Sequence, residues 1–121
     1  MREIKFRAKS LLGLKPMIKG NYLYNEFSER HNIAWRPEHD NWQLCPVDGD
    51  TIGQFTGLTD KNGKDIYEGD IINSNYFKKG IVVFWRSGWH LNTGKDCHHS
   101  FNTSIHSFEV IGNIHENSEI L

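Results

Sequence analysis

Residues 53–72 read Gly-Gln-Phe-Thr-Gly-Leu-Thr-Asp-Lys-Asn-Gly-Lys-Asp-Ile-Tyr-Glu-Gly-Asp-Ile-Ile. This stretch constrains the fold more than any other. Its short apolar runs are separated by turn signals too close together to leave room for a helix. Asp60-Lys61-Asn62-Gly63 is a turn, because Asn-Gly supplies the positive φ that tight hairpins need. In Glu68-Gly69-Asp70, the glycine allows a conformation that a Cβ penalises, and the aspartate can accept nearby backbone N–H groups. The stretch holds no nucleophile–base pair, metal spacing or phosphate loop.

The same rhythm runs along the whole chain. Residues 2–9 alternate, with Ile4, Phe6 and Ala8 on one face and Glu3, Lys5, Arg7 and Lys9 on the other, which predicts a half-buried strand with a polar outer face. Further strands are expected around Tyr22 and Tyr24, at 33–35, 42–47, 51–55, 71–72, 81–85, 89–91, 101–108 and 109–114, with 25–32 as a hairpin loop. Residues 74–79 have room for a single helical turn. Many short strands with glycine turns predict a mainly β fold built as a barrel or half-barrel. With 121 residues the chain is one domain by length. A soft division is expected near residue 50, between an N-terminal β-hairpin region (1–50) and a C-terminal barrel region (51–121).

The formal net charge is −1. Residues 1–20 carry Arg2, Lys5, Arg7, Lys9, Lys15 and Lys19 against Glu3, so a basic arm precedes an acidic body. Such an arm can meet phosphate, but a clearly basic domain is the usual mark of a nucleic-acid binder. The arm therefore reads first as a solvated strand face. Cys45 and Cys97 are far apart and are expected as free thiols. The N-terminus lacks the apolar stretch of a signal peptide and no window is apolar enough to span a bilayer, so a cytoplasmic location is expected.

Three constellations bear on chemistry. Glu68 and Asp70, two apart on a strand, would point the same way as a paired-carboxylate or cation site. With no further oxygen ligands nearby, a turn scaffold is the better reading. Cys97-His98-His99, with His90 and His106, is metal-like in composition, but its spacing fits no zinc pattern and adjacent strand residues face opposite ways. It reads as a polar loop, and no metal or cofactor is expected. Trp35, Trp42, Trp85 and Trp89 with Tyr22, Tyr24, Tyr67 and Tyr76 are expected to fill the core and cover its ends. A stacking platform for single-stranded nucleic acid would use the same rings beside Lys78, Lys79 and Arg86. The nearby acids Asp60, Asp65, Glu68 and Asp70 argue against it.

Three blocks together resemble the YopX family of phage and prophage proteins: Met1-Arg-Glu-Ile-Lys-Phe-Arg-Ala8, Gly53 to Ile72, and Phe108-Glu-Val-Ile-Gly-Asn-Ile-His-Glu-Asn117. The motif positions are Gly53, Gln54, Phe55, Thr56, Gly57, Asp60, Gly63, Tyr67, Glu68, Gly69, Asp70, Gly112 and Asn113. The resemblance implies a β-rich fold with an SH3-like barrel in the C-terminal half and expression from a phage or prophage in a bacterial cytoplasm; the family has no established biochemical activity, and no catalytic residues carry over from it. The function expected is a non-enzymatic accessory protein that self-associates and contacts a host or phage protein. The alternative is a nucleic-acid-binding module using the SH3-like half and the basic arm.

Overall fold

The computed structural model describes residues 4–13, 17–38, 40–74, 79–86, 88–94 and 107–121, and the backbone of 98–100. The chain forms two compact units, Met1–Phe55 and Thr56–Leu121. Each is built on antiparallel β-sheet, and among the described residues the only helical elements are short 3-10 turns.

The first unit contains β1 (Phe6–Ala8), β2 (Ile18–Asn25), β3 (Arg30–Trp35), β4 (Gln43–Val47) and the start of β5 (Gly53–Thr59), ordered β4-β3-β2-β1-β5. The expected loop at 25–32 is only the turn 26–29, because Asn25 Oδ1 accepts the N–H groups of Phe27 (2.9 Å) and Ser28 (3.2 Å) and tightens the reversal. Residues 30–32 are thereby freed to pair with β2, in the register Tyr22↔Ile33 and Leu23↔Asn32. Ala8, Ile33 and Val47 form the core, with Phe6, Ile18, Tyr22 and Ile52 packed against them. Fully burying a side chain such as Ile33 contributes roughly 1.5–3 kcal/mol. A 3-10 turn at Gly49–Thr51 leads into β5 and is capped by the Asp48 side chain, which accepts the Asp50 N–H at 3.0 Å.

The N-terminal alternation is only partly realised. Ile4 precedes β1 and is 65% exposed, whereas Arg7, assigned to the polar outer face, is 6% exposed. β1 has a strand on each side, and Arg7 lies between Lys19 on β2 and Gly53 on β5.

The second unit holds the end of β5, which pairs with β6 (Asp65–Tyr67), and a five-stranded sheet. That sheet comprises β7 (Asp70–Asn73), β8 (Gly80–Trp85), β9 (Gly88–Asn92), β10 (His98–Ser100) and β11 (Glu109–Asn113), ordered β10-β9-β8-β7-β11. Its core is Ile66, Ile72, Val82, Leu91 and Phe108, joined by Trp89 and Val110. An SH3-like barrel or half-barrel is expected for 51–121, and no closed barrel is found among the described residues. β10 pairs with β9 and β11 with β7, and no pairing joins the two edge strands. A bulge between Val110 and Gly112 bends β11 without closing the sheet. Residues 98–100, read as polar loop, form a strand because β9 offers its free edge to them, with His98 opposite Asn92 and Ser100 opposite His90. Of the strand expected at 101–108, residues 101–106 lie outside the described residues, while Ser107 and Phe108 are not in a strand.

Several aromatics are not in the core. Tyr67 is fully buried, but Tyr24 is 49% exposed, Trp42 61%, Phe84 58% and Phe27 fully exposed. These rings sit near hairpin tips and strand ends, where the small cores do not reach.

Candidate interaction surfaces and the motif scaffold

The central motif is internal scaffolding. The Asp70 carboxylate accepts the Tyr67 N–H at 2.7 Å and is 1% exposed. Between them Gly69 has φ +90°, a conformation that L side chains rarely adopt. Gly69 donates its N–H to Val82 O and accepts the Ile114 N–H, both at 2.9 Å, so one turn ties β8 to the segment after β11. Glu68 lies in this turn and not on a strand, so it does not share a strand face with Asp70.

Asp60 forms a second hub. Oδ1 accepts the N–H groups of Asn62 and Lys64, and Oδ2 accepts that of Val110, all at 2.9 Å. Burial pushes its carboxyl up. The three N–H donors, with the positive charge of Lys64, more than offset this and hold it below the ordinary carboxylate range. Thr56 Oγ1 donates to Ile66 O at 2.8 Å, and Gly57 and Gly63 have φ +87° and +80°. In the first unit, Gly53 and Gln54 pair with Arg7 and Phe6, and the Lys5 ammonium lies 4.7 Å from the Phe55 ring centroid. At the far end, Asn113 Oδ1 accepts the N–H groups of His115 and Glu116 at 3.0 Å. A Cβ on Gly112 would come within 2.9 Å of the Asn117 side chain. These contacts put the motif residues to work at turns and strand junctions.

Cys97 and His106 lie outside the described residues. Among the described residues no group of three or more His, Cys, Asp or Glu is placed to hold a metal ion. Cys45 is a buried free thiol, 3.4 Å from Ser10 Oγ. Of the basic arm, Lys5 covers Phe55 and Arg7 is buried, whereas Lys9 and Lys19 are exposed and Arg2 and Lys15 lie outside the described residues.

An apolar outer face on β2–β3–β4 is not anticipated by the sequence. Strand alternation with the observed register puts Leu23, Asn32, Ala34, Leu44 and Pro46 on the side opposite the Ile33 core. Leu23 is 51% and Leu44 60% exposed. Together with Asn32 and Phe27 they line a groove of about 490 Å³ with Glu26 at its rim. The C-terminal end of the β4 edge is blocked. Pro46 has no N–H, its carbonyl accepts the Leu11 N–H at 3.0 Å, and Ser10 bridges to Val47. A period-two pattern could have marked Leu23 and Leu44 as outward, but not as neighbours.

The fold defines a small two-unit antiparallel β protein. The family model described as YopX protein matches residues 5–121, and the chain belongs to that family. A crystal structure of protein EF1440 from Enterococcus faecalis has the same fold. It matches with a TM-score of 0.59 at 22% sequence identity, covering 100% of this chain and 99% of that one. No curated protein matches the chain.

Proposed function

We propose that the protein is a non-enzymatic, self-associating interaction module, and that two copies pack through the outer face of β2–β3–β4. The observation that carries this is the pairing of exposed Leu23 and Leu44 around one groove, with fully exposed Phe27 beside them. An apolar cluster rimmed by polar residues is the ordinary mark of an interaction surface. The choice of a second copy rests on charge. Lys19 is exposed at one end of β2, while Glu26 and Glu29 occupy the turn at the other end, about 23 Å away at the usual strand rise, and with exposed Arg30 leave that end a net charge of −1. A two-fold axis across the strands sets Lys19 of each copy over the acidic turn of the other, with the leucines between them. Sheets pack face to face about 10 Å apart, and an isologous contact closes without forming filaments. The block at the C-terminal end of the β4 edge favours the face over edge-to-edge pairing. The phage or prophage setting and the bacterial cytoplasm implied by the resemblance are part of this proposal.

Sedimentation equilibrium over a range of concentrations tests it. The wild type is expected to dimerise, Leu23→Glu with Leu44→Glu to be monomeric, and Lys19→Glu to dimerise more weakly. Lys19→Glu combined with Glu26→Lys is expected to recover the dimer. A wild-type monomer at every concentration, or a dimer indifferent to these substitutions, overturns the proposal.

A further inference from the structure

The β8–β9 hairpin of the second unit carries an unusual surface. From residue 71 to residue 96 the sequence has Lys78, Lys79, Arg86 and Lys95 against Asp96; of these, Lys79 and Arg86 are among the described residues. At the hairpin tip, Phe84 pairs with Trp89 and Trp85 with Gly88. Alternation puts aromatic rings on both faces. On the face continuous with the core, Phe84 meets Trp89 edge-on at 5.1 Å between centroids and is 58% exposed. On the other face, the Arg86 guanidinium lies 4.5 Å from the Trp85 ring centroid, and the His90 ring meets Trp85 edge-on at 5.3 Å. His90 Nδ1 lies 3.1 Å from Gly88 O. Gly88, the cross-strand partner of Trp85, adds no side chain beside the ring.

Arg86 sits at φ +48°, where glycine or asparagine is at home and arginine is not. Local energetics therefore disfavour arginine here, while its position extends the Trp85 stack by one cationic plane. The acids that the sequence sets against this surface are also less available than their number suggests. Asp60 and Asp70 are buried, with their carboxylates turned onto backbone N–H groups.

We infer that the β8–β9 tip binds single-stranded nucleic acid. One base stacks on the Trp85–Arg86 column and a second on the open face of Phe84, while the Arg86 guanidinium meets a phosphate. Stacking on rings and on guanidinium planes is how unpaired bases are held, and it requires no particular sequence. A duplex keeps its bases stacked inside and cannot use these rings. This site is separate from the β2–β3–β4 face, and the inference does not depend on self-association.

Fluorescence anisotropy of a labelled short oligothymidylate, titrated with the full chain, tests it. Saturable binding that weakens with salt is expected. A duplex of equal length should compete poorly. Trp85→Leu and Phe84→Leu should each weaken binding by roughly 5- to 150-fold, the range that loss of one stacked base gives. Arg86→Gly relieves the positive φ, so it should melt no lower than wild type and still bind more weakly. Arg86→Lys keeps the charge but lacks the plane, and should fall between Arg86→Gly and wild type. Lys19→Glu on the first unit should bind as wild type. The inference is overturned by absence of binding, by affinity unchanged in Trp85→Leu and Arg86→Gly, or by a duplex that competes equally well.

Discussion

The Asp70 carboxylate reaches back across the Glu68–Gly69 turn to accept the Tyr67 N–H at 2.7 Å, and both residues are buried. This bond fixes the passage from β6 to β7. Replacing Asp70 with Ala leaves a buried N–H without its acceptor, which costs about 1–3 kcal/mol. Thermal unfolding of Asp70→Ala should show a lowered Tm, with oligonucleotide binding weakened only as far as the protein unfolds. Unchanged stability with abolished binding would place Asp70 in a site.

Gly69 makes an independent contribution to the same turn. At φ +90° a Cβ is strained, and it would also meet His115 Nε2 at 3.3 Å. Gly69→Ala should destabilise by roughly 1–2 kcal/mol in urea unfolding. Gly69→Ala combined with His115→Ala removes the contact and retains the backbone strain. It should therefore show part of the Gly69→Ala loss beyond that of His115→Ala alone.

Asp60 makes stability depend on pH. Its folded pKa lies below the ordinary 3.8, so its contribution is fully present above that value. It is lost as pH falls through the lower folded value. In Asp60→Asn one oxygen can still accept from Asn62 and Lys64, but an amide NH2 then faces the Val110 N–H. The variant should be less stable than wild type by about 1–3 kcal/mol near neutral pH. Chemical denaturation at a series of pH values should show that gap closing below pH 3.8. A gap that stays constant down to strongly acidic pH would remove the carboxylate from the account.

The outer face of β2–β3–β4 predicts a particular salt response. Apolar contact between leucines survives salt, whereas the Lys19 to Glu26 and Glu29 pairing is screened over about 10 Å at moderate ionic strength. Raising salt should weaken the wild-type dimer by no more than Lys19→Glu weakens it, and should have less effect on Lys19→Glu itself. Dissociation to monomers by salt alone would show that charge, and not the leucine cluster, holds the copies together.

What the sequence determined is what neighbouring residues decide among themselves. The Asp60–Gly63 turn, the positive φ at Gly69, the Asp70 cap three residues from its donor and the strand-rich character all follow from local sterics and short-range hydrogen bonds. The turns of the motif are therefore legible in the order of its residues. Other features rest on partners remote in the chain. Asp60 holds Val110, fifty residues away. Arg7 is buried despite its place in the alternation, and 98–100 is a strand because β9 has an edge to fill. Leu23 and Leu44 become one surface only when β3 sets them on the same face of the sheet. The Trp85–Arg86–His90 cluster likewise exists only once the β8–β9 register is fixed. Alternation specifies which side of its own strand a residue takes. Pairing and register specify what stands beside it, and those are set by the burial free energy of the whole sheet, which no local window contains.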